Sequence, residues 1–101
     1  MEGEEQIQDA LYLSCLDWVD LYRKRGDKHE RRRKANIILQ LWLVRAEEER
    51  KDHNNEFPNI RDYIPKKQWE DSNITYEIYL LRFIGAITSY IEQNQNNRGG
   101  R

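Results

Sequence analysis

Residues 27–52 read DKHERRRKANIILQLWLVRAEEERKD, and this stretch decides the fold class. Ala35, Ile38, Leu39, Trp42 and Ala46 recur at spacings of three and four, the period of an amphipathic helix. Asp27 stands just before the run, with Glu30 three residues on. That is capping-box spacing, with Asp in place of the usual Ser or Thr. Ile37, Leu41, Leu43 and Val44 make the middle apolar nearly all round. A helix apolar on every side is normally buried on every side. Two partner helices in a chain of 101 residues cannot cover it fully, so the segment predicts a homodimer or a protein-binding face.

Upstream, a second helical segment is expected from about Glu4 to Arg25. Ile7, Leu11, Cys15, Trp18 and Tyr22 form its inner stripe, widened by Ala10, Leu13, Leu16 and Leu21. Acids in its first turn and Arg23, Lys24 and Arg25 in its last complement the helix dipole. Gly26 supplies the expected left-handed stop.

Downstream, residues 53–71 contain Asn54, Asn55, Pro58, Asn59 and Pro65, which mark an irregular connection. Pro65 allows a short helical turn around Lys66 to Glu70. Phe57, Ile60, Tyr63, Ile64 and Trp69 are expected to fold this linker back over the helices. A third long helix is expected from about Ile74 to Gln93. Its stripe is Ile74, Ile78, Leu81, Ile84, Thr88 and Ile91, widened by Leu80, Phe83, Ile87 and Tyr90. The prediction is therefore all-α: a small bundle of three long helices with a Pro-containing linker between the second and third. Residues 1–93 form a single helical domain and 94–101 a flexible polar tail.

Composition sets the outer bounds. The chain is 38% hydrophobic and 35% charged, yet its 11% aromatic content, with Trp18, Trp42 and Trp69, supports a packed core. The single cysteine, Cys15, excludes an intramolecular disulfide and fits a reducing compartment. Acidic Glu2, Glu4 and Glu5 stand where a secretory signal has basic residues. The longest apolar stretch, Ile37 to Val44, falls well short of the about 20 residues a membrane helix needs. The expected protein is soluble and intracellular, cytoplasmic or nuclear, with no membrane partner.

The formal net charge of −1 conceals a strong segregation. Residues 1–22 hold six acids and no Lys or Arg. Residues 23–34 hold eight basic residues against two acids, Asp27 and Glu30. The eight are Arg23, Lys24, Arg25, Lys28, Arg31, Arg32, Arg33 and Lys34. A helix C-terminus accounts for Arg23, Lys24 and Arg25. Lys28 and Arg31 to Lys34 fall in the first turns of the next helix, where cations cost about 0.3–1 kcal/mol each near the terminus. A sequence tuned only for stability would not put them there. Phosphate recognition uses such a patch, because each cation on a phosphate releases counterions. Arg also grips phosphate through two parallel hydrogen bonds. The sequence thus points to a small non-enzymatic nucleic-acid-binding protein, with RNA preferred because no helix-turn-helix reading head is present. An acidic protein surface is the other partner such a patch would suit, and a solvated turn is the bland explanation.

The alternative function is a protein–protein adaptor or inhibitor whose interface is Ile37, Leu41, Leu43, Val44 and Trp69. Catalytic chemistry finds little support. Cys15 sits on a core stripe, and the five glycines form no phosphate loop. Glu49 and His53 share i, i+4 spacing but read better as a solvated helix end than as metal ligands. No catalytic residue, metal ligand or cofactor is expected.

Overall fold

The computed structural model describes the backbone of residues 7–67 and 74–99, and the side chains of residues 7–67 and 77–94. The chain forms helix α1 (Ala10–Arg23), helix α2 (Lys28–Lys51), a 3-10 turn (Ile60–Asp62) and helix α3 (Ile74–Gly99). The described residues contain no strand. The architecture is the expected all-α bundle of three long helices with an irregular linker.

Helix α1 starts later than its periodicity predicts. Asp9 is its N-cap, and Asp9 Oδ1 accepts hydrogen bonds from the Leu11 amide at 2.9 Å and the Tyr12 amide at 3.3 Å. A side-chain acceptor that satisfies two orphan amides fixes a helix start more firmly than propensity does. The acids expected in the first turn are therefore not there: Asp9 lies just outside it, and Glu2, Glu4 and Glu5 lie outside the described residues.

The end of α1 also differs from expectation. Arg25, not Gly26, takes the left-handed conformation, with φ 54°. The Gly26 amide donates to Leu21 O at 2.8 Å and the Arg25 amide to Tyr22 O at 3.2 Å, which is the Schellman pattern. Gly26 serves another purpose: a Cβ there would lie 3.0 Å from Leu21 Cδ2. Helix α2 ends the same way. His53 has φ 61°, its amide donates to Arg50 O at 3.0 Å, and the Asn54 amide donates to Glu49 O at 2.9 Å. At the start of α2, Asp27 Oδ2 accepts from the Glu30 amide at 3.1 Å, the cap that the sequence predicts.

The core contains Leu11, Cys15 and Trp18 from α1 and Ala35, Ile38 and Trp42 from α2. The linker adds Phe57, Ile60 and Ile64, and α3 adds Leu80, Phe83, Ile84, Ile87 and Ile91. The inner stripes predicted for α1 and α2 point inward, but Ala10, Leu13 and Leu16, expected to widen the first, are exposed, because α1 packs through the narrower Leu11, Cys15 and Trp18 face. The α3 stripe is rotated from its predicted centre: Leu80, Phe83 and Ile87 are fully buried, whereas Ile78 is 53% exposed. The linker packs over the helices as expected. Trp42 Nε1 donates to Pro58 O at 2.8 Å, and Trp42 and Phe83 meet edge to face at 5.6 Å. Trp18 is fully buried and stacks on Tyr22 at 5.0 Å, and its indole N–H has no partner among the described residues. Lys66 and Lys67 are helical; the rest of that expected turn, Trp69 included, lies outside the described residues. Helix α3 continues past Gln93 to Gly99, so the backbone of the first six residues of the polar tail is helical.

Candidate functional surfaces

The eight cations of residues 23–34 lie at one end of the α1–α2 hairpin, and the structure gives them different surroundings. Arg23, Arg25 and Lys28 are exposed and make no ion pair with a described residue. Lys24 lies 3.1 Å from Asp20, with both side chains more than 60% exposed, a geometry that contributes little stability. Arg32 is exposed. Arg33 is exposed and pairs with Glu30 one turn back. Lys34 reaches across to α1, 4.0 Å from Asp17.

Arg31 is the exception. Its Nε donates to Glu77 Oε2 at 2.7 Å and its Nη2 to Glu77 Oε1 at 3.2 Å, a forked pair between two largely covered side chains. Its Nη1 donates to Gly26 O. The Glu77 hydrogen bond pushes the guanidinium pKa above its ordinary value. Arg31 therefore ties the first turns of α2 to α3 and to the α1–α2 turn, and this accounts for a cation that its own helix disfavours. The pairing partner lies 46 residues away, and no local pattern announces it.

The other end of α2 keeps its charges inside a network. Arg45 Nη1 donates to Asp9 Oδ2 at 2.6 Å and Arg45 Nε to Glu49 Oε2 at 3.3 Å. Asn54 Nδ2 donates to Glu49 Oε1 at 2.7 Å and to the Tyr90 hydroxyl. The Arg45 guanidinium also sits 6.0 Å from the centre of the Phe57 ring, which meets Tyr90 edge to face at 5.3 Å. Burial raises the Asp9 pKa, but the Arg45 hydrogen bond and the Tyr12 and Leu11 amides outweigh it and hold the carboxyl below its ordinary 3.8. For Arg45, burial works against the charge, and Asp9 and Glu49 more than offset it. Glu49 thus serves Arg45 and Asn54, and His53 is an exposed helix terminator. Among the described residues, no group of three or more His, Cys, Asp or Glu could hold a metal ion. Cys15 is fully buried, and burial pushes its thiol pKa up to about 12, so it stays protonated at neutral pH.

The apolar residues predicted as an interface divide between two flanks of α2. Ile37 is 47% and Val44 62% exposed, and Leu41 between them is half-buried. Their spacing puts these three on one stripe. Ile37 lines a shallow depression with Ser14, Asp17 and Lys34, which locates that stripe beside α1. Leu43, 54% exposed, faces the opposite flank, a groove of about 790 Å³ lined by Leu39, Trp42, Ala46, Phe57 and Ile60 among others. No helix of the described residues is long and apolar enough to cross a membrane.

Compared with protein-family models, with curated proteins and with solved structures, the chain matches none.

Proposed function

We propose that this protein is a small non-enzymatic nucleic-acid-binding module, with RNA preferred, that contacts phosphates through the cations displayed at the α1–α2 turn. The observation that carries the reading is the state of Arg23, Arg25 and Lys28: exposed, close in sequence around one turn, and without an ion pair to any described residue. Lys24, Arg32 and Arg33 extend the patch, Lys34 flanks it, and Arg31 supports it from beneath as a latch to Glu77. Recognition through such a patch follows backbone charge and shape rather than base sequence.

The test is binding to a generic RNA duplex at low and high salt. Wild-type affinity falls as salt rises. The triple variant Arg23→Ala, Arg25→Ala, Lys28→Ala binds more weakly, and its log–log salt slope is shallower by roughly 2–3, the value for three lost phosphate contacts. Equal affinity and slope in the triple variant would overturn the proposal.

A second reading, a protein–protein adaptor or inhibitor, is favoured by one specific observation. The groove beside Leu43 joins an apolar floor to a polar rim that includes Asn55, Asn59 and Arg61, the usual make-up of a partner-binding cleft.

A further inference from the structure

The outward stripe of α2 extends beyond Ile37, Leu41 and Val44. At helical spacing it continues through Arg33 and Glu30 toward the start of the helix, and through Glu48 and Lys51 toward its end. The stripe is self-complementary when a second α2 is laid against it antiparallel, with its centre between Gln40 and Leu41. In that register Ile37 of one copy meets Val44 of the other, and the cation Arg33 meets the anion Glu48. One step further out, the anion Glu30 meets the cation Lys51. These three pairings match in character, Leu41 lies beside the axis opposite Gln40 of the other copy, and a twofold axis provides each pairing twice.

We infer that the occupant of this face is a second copy of the chain, docked α2 against α2 in that antiparallel register. Three features of α2 support it. The apolar centre is open to solvent, with Ile37 at 47% and Val44 at 62% exposure. The four charged flanking positions carry accessible side chains: Arg33, Glu48 and Lys51 are exposed, and Glu30 is partly so. Their signs give opposite charges at both flanking pairs of an antiparallel self-pairing. The same stripe laid parallel in register would set Arg33 on Arg33 and Glu48 on Glu48, which like-charge repulsion disfavours. The Glu30–Arg33 pair within one copy is exchanged on docking for two pairs between copies. The interface is one helix wide and about 32 Å long from Glu30 to Lys51, so association is weak and depends on concentration. The basic turns of the two copies would then stand at opposite ends of the assembly.

Sedimentation equilibrium across the micromolar to millimolar range tests this. The wild-type mass rises from the 12.3 kDa monomer toward twice that value. Each single reversal, Arg33→Glu or Glu48→Arg, weakens association about tenfold, because two contacts turn repulsive in each homodimer. An equimolar mixture of the two variants recovers the wild-type mass, since every reversed residue then faces an opposite charge. Both side chains are exposed, and circular dichroism checks that both variants keep wild-type helix content. A wild-type chain that stays monomeric throughout overturns the inference. So does a dimer that the single reversals leave intact, or one that the mixture fails to restore.

Discussion

The two ends of α2 carry similar charged residues and use them in opposite ways. Both helices that meet these ends terminate in a Schellman turn with a left-handed non-glycine residue, Arg25 at one end and His53 at the other. At the His53 end the charges turn inward: Arg45, Asp9, Glu49, Asn54 and Tyr90 form one connected network over Phe57. At the Arg25 end Arg31 turns inward and Lys34 leans toward Asp17 on α1, and Arg23, Arg25 and Lys28 face solvent without a described counter-ion. Density of charge therefore does not by itself mark a functional patch. What separates the two ends is whether the chain supplies the opposite charge from another element.

The largest expected effect comes from opening the closed end. Arg45→Ala leaves Asp9 and Glu49, each under one-fifth exposed, without their shared cation. A loss of about 2 kcal/mol or more is expected, a fall in Tm of roughly 10 °C. Acid probes the same contact. Because the folded Asp9 pKa lies below 3.8, its contribution to stability is complete above that value and is lost as pH falls through the lowered pKa. Thermal melts of wild type should therefore steepen their decline below about pH 4, and Asp9→Asn should flatten it. Arg31→Ala belongs with this group despite its place in the basic cluster: it should lower Tm through the lost Glu77 fork. A variant that kept its Tm and lost RNA affinity would move Arg31 to the exposed set.

A smaller effect, of opposite sign, is expected at the two left-handed positions. Arg25→Gly and His53→Gly should each gain about 0.5–1 kcal/mol by relieving the same backbone conformation. Only Arg25→Gly should also weaken RNA binding. Melting curves and binding isotherms on the two variants sharpen the comparison, because backbone geometry is matched and only the lost side chain differs in role.

Much of this molecule was legible in its sequence, and the rest was hidden for identifiable reasons. Three helices, the inner stripes of α1 and α2, the Asp27 cap and the folded-back linker follow from local periodicity and turn chemistry. The late start of α1 is not legible because Glu2, Glu4 and Glu5 resemble a first turn, while Asp9 supplies the cap. Gly26 points to a left-handed turn one residue later than Arg25, where it lies, because glycine is the residue type that usually fills such a turn. The basic cluster is visible as charge, but the helix-dipole division into Arg23, Lys24 and Arg25 as a helix ending and Lys28 with Arg31, Arg32, Arg33 and Lys34 as the working set is not the one the structure makes: Glu77 and Asp17 reach Arg31 and Lys34 from distant elements, and spacing along one helix cannot reveal them. Likewise, periodicity identifies Ile37, Leu43 and Val44 as apolar but cannot say which neighbours leave them uncovered.

The most direct test of the account removes the same charge from two places. One variant carries Arg23→Ala, Arg25→Ala and Lys28→Ala at the open turn. The other carries Arg50→Ala, Arg61→Ala and Arg82→Ala, three exposed cations elsewhere on the surface. RNA-duplex affinity is then measured against salt for both. The account predicts weaker binding, and a slope shallower by roughly 2–3, for the first variant alone. Equal losses in the two variants would show that binding follows net charge rather than the α1–α2 turn, and would contradict it.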